Sequence, residues 1–440
     1  MEHYPGLIFW LFSAASFVSY VGSLAGGRPL APADVPLDTF VYSARMANVV
    51  VGVAIVVLTG LIGRRTAGNG AALLAALIVA IAPLAVELTL VRNDLGMVAA
   101  ALAATYVAIA HMNDPGKVWA VWAGALGGIA GAIKYSSVFA IVPVLLATWS
   151  PGPIRERLTR AALGIAGFVI AVFVTNHFIW YDFPNFLRQL SDQVAITGRG
   201  HWAATDNPAS FYVMILDRFG TGSLMLLLSA AYAVYGLALQ DRRLWIFLSF
   251  PILYLWFMSG RPSQFPRWVF PLLPFVAVAG CAALAAVVQV VGRLGRPEST
   301  RMRYASRVAA AAIAAAALWQ PVWTGIVSYS RRATLPTHLA VETWIQHNVP
   351  EGDVILLGNH WLSLRSKHVV TRVPDLRTVL DGGVEQMAGY DWAVIPEPYF
   401  GHPTLRRLGF AQRFHASQEF GGSVGYDDEV YAIPEVPGGK

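Results

Sequence analysis

Residues 81–110 read IAPLAVELTLVRNDLGMVAAALAATYVAIA and residues 127–137 read GGIAGAIKYSS. The first apolar run is broken by Glu87, Arg92, Asn93 and Asp94; the second ends in Lys134. A membrane crossing takes about 20 predominantly apolar residues, and an open chain satisfies its own backbone in lipid only as a helix. An ionisable side chain at that depth costs about 2.5–3.5 kcal/mol by insertion scales and marks a functional face. The stretch therefore predicts helices that span a bilayer and carry charge where they line a site.

Composition points the same way. Of 440 residues, 56% are hydrophobic and 13% charged, with a mean hydropathy of +0.52, whereas soluble domains carry about a quarter charged residues. The formal charge of +6 resides mainly in short loops between apolar runs, with no basic stripe interleaved with aromatics. Membrane orientation explains it, and no nucleic-acid partner is expected. The lone Cys281 lies inside an apolar run, so one chain can build neither a disulfide nor a cysteine metal site. The N-terminus lacks a positively charged leader pattern and no Asn-x-Ser/Thr acceptor occurs. Insertion is then directed by the spans.

Working outward, spans are predicted at 46–63, 71–90, 94–111, 118–133, 136–149, 161–180, 221–239, 244–259, 268–291 and 306–326. Strict alternation places Arg64-Arg65, Lys117, Arg155/Arg157/Arg160, Arg242-Arg243 and the arginines from Arg293 to Arg307 on one side, the cytoplasm. The outer side receives the Glu87–Asp94 turn, Lys134–Ser137, a long loop over 181–220, the Ser259–Arg267 loop and everything after 330. Trp119, Trp149, Trp180, Trp268 and Trp323 fall near span ends, as an aromatic belt requires. Gly6–Leu24 is apolar enough either to cross or to lie in the interface.

After Tyr329 charged residues, turns and short β-rich runs take over. Thr337–Gln346 reads as a helix stopped before Pro350, and Asp353–Leu357, His368–Arg372 and Trp392–Pro396 read as strands. The organisation is thus residues 1–45 as an outer-face region, 46–330 as a multi-span bundle and 331–440 as a small extracytoplasmic α/β domain. No Gly-rich loop follows a strand, so nucleotide binding has no support.

Glu87, Arg92, Asn93, Asp94, Lys134, Arg261 and Arg267 all map to outer span ends. Together they could hold an anionic headgroup and deprotonate a nucleophile beside it: Arg and Lys on the phosphate, a carboxylate on the incoming hydroxyl. The same charges would serve as helix-end anchors or pair with one another. Lys134 follows a run of small residues, Gly124–Ala132, that suits close helix packing better than ligand contact. Tyr135, Ser136 and Ser137 could bind a sugar or phosphate, or merely satisfy a helix turn. The loop from Tyr181 to Arg218 has the length and composition of a lid over a cleft. No histidine pair has metal-ligand spacing; a divalent metal would have to be held by carboxylates.

In this order and on these sides, the motifs resemble those of the membrane glycosyltransferases of the GT-C fold, specifically the family 39 group of protein O-mannosyltransferases and bacterial transferases of the RgtA/B/C/D kind. His3-Tyr4-Pro5-Gly6-Leu7 resembles the His-x-Pro-Leu stretch of the first outer loop, and Ser43-Ala44-Arg45 the Arg that opens the next span. Glu87–Asp94 resembles the second acidic motif, Gly127–Ser137 the Gly-rich helix ending in Lys, and Pro266-Arg267-Trp268 through Pro271 and Pro274 the Arg-Tyr-x-x-Pro segment. Trp344-Ile345, Pro350-Glu351-Gly352 and Tyr390-Asp391-Trp392 resemble the outer C-terminal domain. The resemblance covers nearly the whole chain.

It implies transfer of a sugar from a polyprenyl-phosphate carrier to an acceptor (a glycan, lipid or protein) on the outer membrane face, with inversion. Asp94 carries over as the second-motif carboxylate, with Glu87 beside it; Arg45, Arg92, Lys134, Tyr135, Arg261 and Arg267 would hold the donor. The lipid tail would lie among the helices, in contact with membrane lipids. In the family a first span and an acidic motif, whose Asp is the expected base, precede the His-x-Pro segment. Here that segment begins at His3, so both are expected to be missing, and Glu2, Asp34 and Asp38 do not stand at the matching place. On this reading Gly6–Leu24 is an interfacial helix. Two rival readings remain: a transporter, whose paths also use intramembrane charges, and an inactive homologue serving as a partner subunit. Against the transporter, no paired broken helices recur in two halves.

Overall fold

The computed structural model describes residues 13–18, 20–22, 37–85, 94–113, 116–176, 178–199, 207–262, 264–294, 300–331, 337–357, 369–372, 376–382, 384–387, 389–396, 411–416 and 428–432. They form two compact units, residues 1–325 and 326–440.

The first unit is helical. Its helices are α1 (Leu37–Ala67), α2 (Asn69–Ile81), α3 (Asp94–Ala110), α4 (Lys117–Ile133), α5 (Ile141–Thr148), α6 (Ile154–Thr175), α7 (Phe183–Arg199), α8 (Pro208–Ile215), α9 (Ser223–Ala238), α10 (Arg242–Ser259), α11 (Leu273–Leu294) and α12 (Thr300–Arg331). Four stretches are long and apolar enough to cross a membrane: Tyr42–Ala67, Ile154–Thr175, Pro266–Val291 and Tyr304–Val327. Shorter apolar helices lie between them. Every predicted span is helical at least in part, and the protein is a multi-pass membrane protein.

Three boundaries differ from expectation, each for a local reason. α2 stops at Ile81, not at 90, because Ala82 precedes Pro83 and adopts an extended conformation (φ −58°, ψ 136°); the proline ring disfavours the helical region for the residue before it. α6 begins at Ile154, seven residues early. Its first turns carry Arg155, Glu156, Arg157 and Arg160, and the buried Arg160 is satisfied by Glu156 (2.9 Å) and Ser150 Oγ (2.6 Å). The expected loop over 181–220 is largely helix, α7 and α8. Its apolar residues recur at helical spacing, a pattern masked by the polar residues between them.

α11 is the central helix. It packs against α1, α2 and α9, and Leu273, Phe275, Ala277, Val278 and Cys281 are buried. Around it Ile55, Ile62, Ile78, Val79, Met97, Phe247 and Phe250 complete one contiguous core. α4 and α6 approach unusually closely. A Cβ on Gly124 would meet Gly164 O at 2.0 Å, one on Gly128 would meet Phe168 O at 2.2 Å, and one on Gly167 would meet Val121 O at 2.4 Å. These glycines serve helix packing, through small residues that let two backbones touch.

One end of the bundle is tied down by arginine. Arg242 donates to Met112 O (3.0 Å), Leu146 O (3.2 Å) and Ala147 O (2.7 Å), and Arg243 donates to Arg65 O (2.9 Å). The unsatisfied carbonyls where helices end are thereby met by cations, which the helix dipole also favours.

In the second unit, α13 (Thr337–Asn348) covers a five-stranded sheet of β1 (Val354–Leu357), β2 (Val369–Arg372), β3 (Trp392–Pro396), β4 (Ala411–Ala416) and β5 (Asp428–Ala432), in the order β2-β1-β3-β5-β4. β1 is parallel to β2 and β3; β5 is antiparallel to β3 and β4. Two short helices, α14 (Leu376–Asp381) and α15 (Val384–Met387), lie between β2 and β3. Val341, Ile345 and Val349 of α13 pack on Ile355, Leu357 and Val394. The helix and first three strands match expectation to within two residues; β4 and β5 were not foreseen.

Candidate active site

At the end of the bundle opposite Arg242, α3 starts with Asp94, 7% exposed. A carboxylate in the first turn of a helix is stabilised by the positive end of the helix dipole. Across from it, α4 stops when Lys134 turns extended (φ −153°, ψ 118°) before a 3-10 turn over Tyr135–Ala140. That turn out of the helix lets Lys134 Nζ reach Asp94 Oδ1 at 2.5 Å, with side chains 19% and 10% exposed. Asn176, buried at the end of α6, donates to Ala132 O (3.3 Å) and holds the last turn of α4 in place.

Aromatic rings build the surroundings. Lys134 Nζ lies over the Trp268 indole at 5.6 Å. Trp268 is in the 3-10 turn Pro266–Leu272, and its carbonyl accepts the hydroxyl of the fully buried Tyr254 at 3.0 Å. Phe265 packs edge-on against Trp268 at 4.8 Å, and Arg267 lies over Phe265 at 4.3 Å. Arg261 lies over Phe257 at 4.6 Å, which in turn packs on Phe139 at 5.5 Å. Tyr135 turns to Phe186 of α7, 5.9 Å away in a T-shaped contact. Cations on ring faces gain about 0.5–1 kcal/mol, and more when dry.

Tyr212 Oη and Ser137 Oγ are buried with no hydrogen-bond partner among the described residues. A buried hydroxyl without a partner costs about 1–3 kcal/mol, so it asks for a ligand or water. Chemically the arrangement offers a carboxylate, an ammonium and two guanidinium groups beside aromatic rings.

Of the residues singled out from the sequence, Asp94 and Lys134 pair directly, and Tyr135, Arg261 and Arg267 belong to the same end of the bundle. Arg45 is exposed on α1. Glu87, Arg92 and Asn93 lie outside the described residues, as do His201 and Trp202 of the expected lid and the His-x-Pro stretch at residues 3–7. Tyr212, Tyr254 and the buried Gln264 were missed, because a tyrosine within an apolar run gives the same signal as a packing residue. No three His, Cys, Asp or Glu side chains gather as a metal site among the described residues.

This geometry can be set beside known proteins. Residues 40–180, which cover α2–α6 and most of α1 and include Asp94 and Lys134, match the family described as dolichyl-phosphate-mannose-protein mannosyltransferase. The chain is 24% identical over 266 residues to an alpha-1,2-mannosyltransferase of Arabidopsis thaliana, covering 56% of this chain and 43% of that one. It thus spans less than half the length of that curated relative. In fold it is similar to the archaeal oligosaccharyltransferase AglB of Archaeoglobus fulgidus. The form in complex with an inhibitory peptide and a dolichol-phosphate matches with a TM-score of 0.55 at 13% identity, covering 99% of this chain and 67% of that one. The apo form matches with a TM-score of 0.54 at 12% identity, covering 90% and 62%. The helical bundle is therefore GT-C-like, as the motif order implied.

Proposed function

We propose that this chain is a membrane glycosyltransferase that takes a sugar from a polyprenyl-phosphate carrier and transfers it, with inversion, to an acceptor hydroxyl on the outer membrane face. The observation that carries this reading is the Asp94–Lys134 pair, held between the start of one helix and the end of another at one end of the bundle. It is supported by the family match over the same residues and by the similar fold of an oligosaccharyltransferase solved with a dolichol-phosphate.

The pair suggests an order of events. With no donor bound, Lys134 neutralises Asp94. A donor phosphodiester brings its own negative charge, draws the ammonium toward itself, and leaves the carboxylate free to accept a proton. The acceptor O–H gives its proton to Asp94, its oxygen bonds to the anomeric carbon, and the bond from that carbon to the phosphate oxygen breaks with both electrons going to phosphate. Lys134 then stabilises the lipid phosphate that leaves, with Arg261 and Arg267 within the same end of the bundle to share that charge. The outer-face location and the inverting course follow from the resemblance, not from the pair.

The test is consumption of a polyprenyl-phosphate sugar by the purified protein in liposomes. Turnover that is lost in Asp94→Asn, while detergent elution and melting stay unchanged, is the expected result. Full turnover in that variant would remove the role given to Asp94. Absence of turnover with any hexosyl or pentosyl carrier would overturn the reading as a transferase.

A further inference from the structure

α7 has a built beginning. Asp182 Oδ1 accepts from the Asn185 backbone N–H (3.1 Å), Pro184 occupies the first turn, and Arg188 donates to Asn185 Oδ1 (2.6 Å). Along the helix Phe183, Phe186, Leu187, Leu190 and Val194 recur at i, i+3, i+4, i+7 and i+11, a single stripe at 3.6-residue period. Asn185, Arg188, Gln189, Ser191 and Asp192 occupy the opposite side. Phe186 is turned inward onto Tyr135, whereas Phe183, Leu187 and Val194 are 50%, 47% and 50% exposed. Half-exposed apolar residues in a row need a cover.

The chain leading into α7 says what covers it. α6 is long and apolar enough to cross a membrane and leaves Ile165, Val169, Ile170 and Val174 exposed. Beyond Asn176, Trp180 packs on Phe173 at 5.2 Å and its indole N–H donates back to Phe173 O (2.8 Å), while Trp180 and Tyr181 stay largely exposed. A tryptophan with its N–H satisfied and its ring outward, next to a tyrosine at the end of a span, suits the membrane–water boundary.

We infer that α7 lies in the plane of the bilayer interface, with Phe183, Leu187 and Val194 inserted among lipid acyl chains and Arg188 and Asp192 toward water. The occupant of the exposed stripe is the lipid surface. A long helix with a polar face and an apolar face behaves this way when its apolar side finds acyl chains. Asp192 against Arg188 and Arg199 leaves little net charge, so insertion and not headgroup attraction holds the helix, and anionic lipid is not required. Through Phe186 the helix presses on Tyr135, the neighbour of Lys134, so the membrane surface itself becomes part of the wall of that site. This placement does not depend on the chemistry proposed above.

Spin-label accessibility in the full protein tests it. Leu187→Cys, Val194→Cys, Arg188→Cys and Asp192→Cys are each labelled with a nitroxide in phosphatidylcholine vesicles; Cys281 is fully buried, and the unaltered protein serves as the labelling control. Collision with oxygen, which partitions into lipid, is compared with collision with a water-soluble nickel chelate. Positions 187 and 194 are expected to favour oxygen several-fold and 188 and 192 to favour nickel, with the same depths when phosphatidylglycerol is added. Nickel preference at 187 and 194 would mean a water-exposed lid and overturn the inference. Protection from both reagents there would mean a protein cover, a second copy included, and overturn it equally. Phe183→Cys and Ser191→Cys repeat the comparison where a first variant does not elute as folded protein.

Discussion

The two ends of the helical bundle both contain cations, and they use them in opposite ways. At one end Arg242 and Arg243 give their hydrogen bonds to the carbonyls of Met112, Leu146, Ala147 and Arg65. Those partners are backbone, fixed wherever helices stop. At the other end Lys134 meets a carboxylate, and Arg261 and Arg267 rest on aromatic rings. Those partners are exchangeable: a ring face or a carboxylate can be left for a phosphate. On the proposed function, the difference separates cations that close a structure from cations that would be redirected to a substrate, although in sequence both sets stand at span ends.

The sharpest way to break the contrast is Asp94→Asn. Asparagine keeps an acceptor for Lys134 but cannot take a proton, and turnover is expected to fall about 10²–10⁴-fold with the melting temperature nearly unchanged. Next in size, Lys134→Met strands the Asp94 carboxylate in a dry place. A loss of about 3–5 kcal/mol is expected in denaturant unfolding, and the double variant Asp94→Asn/Lys134→Met should recover most of it. A smaller effect belongs to the other end. Arg242→Met removes charged hydrogen bonds and should cost about 1.5–3 kcal/mol in stability, while turnover per folded molecule stays within error. Loss of turnover there would erase the distinction between the two ends. The smallest is Trp268→Leu: losing the ring beneath Lys134 should cost about 0.5–2 kcal/mol, read as weaker donor binding with folding retained.

Much of the bundle was legible because membrane helices are written in long apolar runs. The exceptions are instructive. α2 is cut short by a proline effect that hydropathy does not register, and α7 looked like a loop because its stripe is only five residues among charges and amides. β4 and β5 were invisible since short strands in a polar region carry little periodic signal. At the site, Asp94 and Lys134 stood out as charges against apolar neighbours. Their pairing did not, because it depends on Lys134 leaving the helix and on a contact 40 residues away in sequence. Tyr212 and Tyr254 were hidden for the converse reason: each is polar only at its tip, and nothing local shows which tip is left without a partner.

The glycine seam between α4 and α6 has a mechanical consequence. Where a helix rides against another on side chains, rotamer changes let the two slide. Gly124, Gly128 and Gly167 instead set one backbone on the carbonyls of the other, and carbonyls have no alternative rotamer to offer. The two helices must therefore travel as one lever, carrying Lys134 and Asn176 at the same tip.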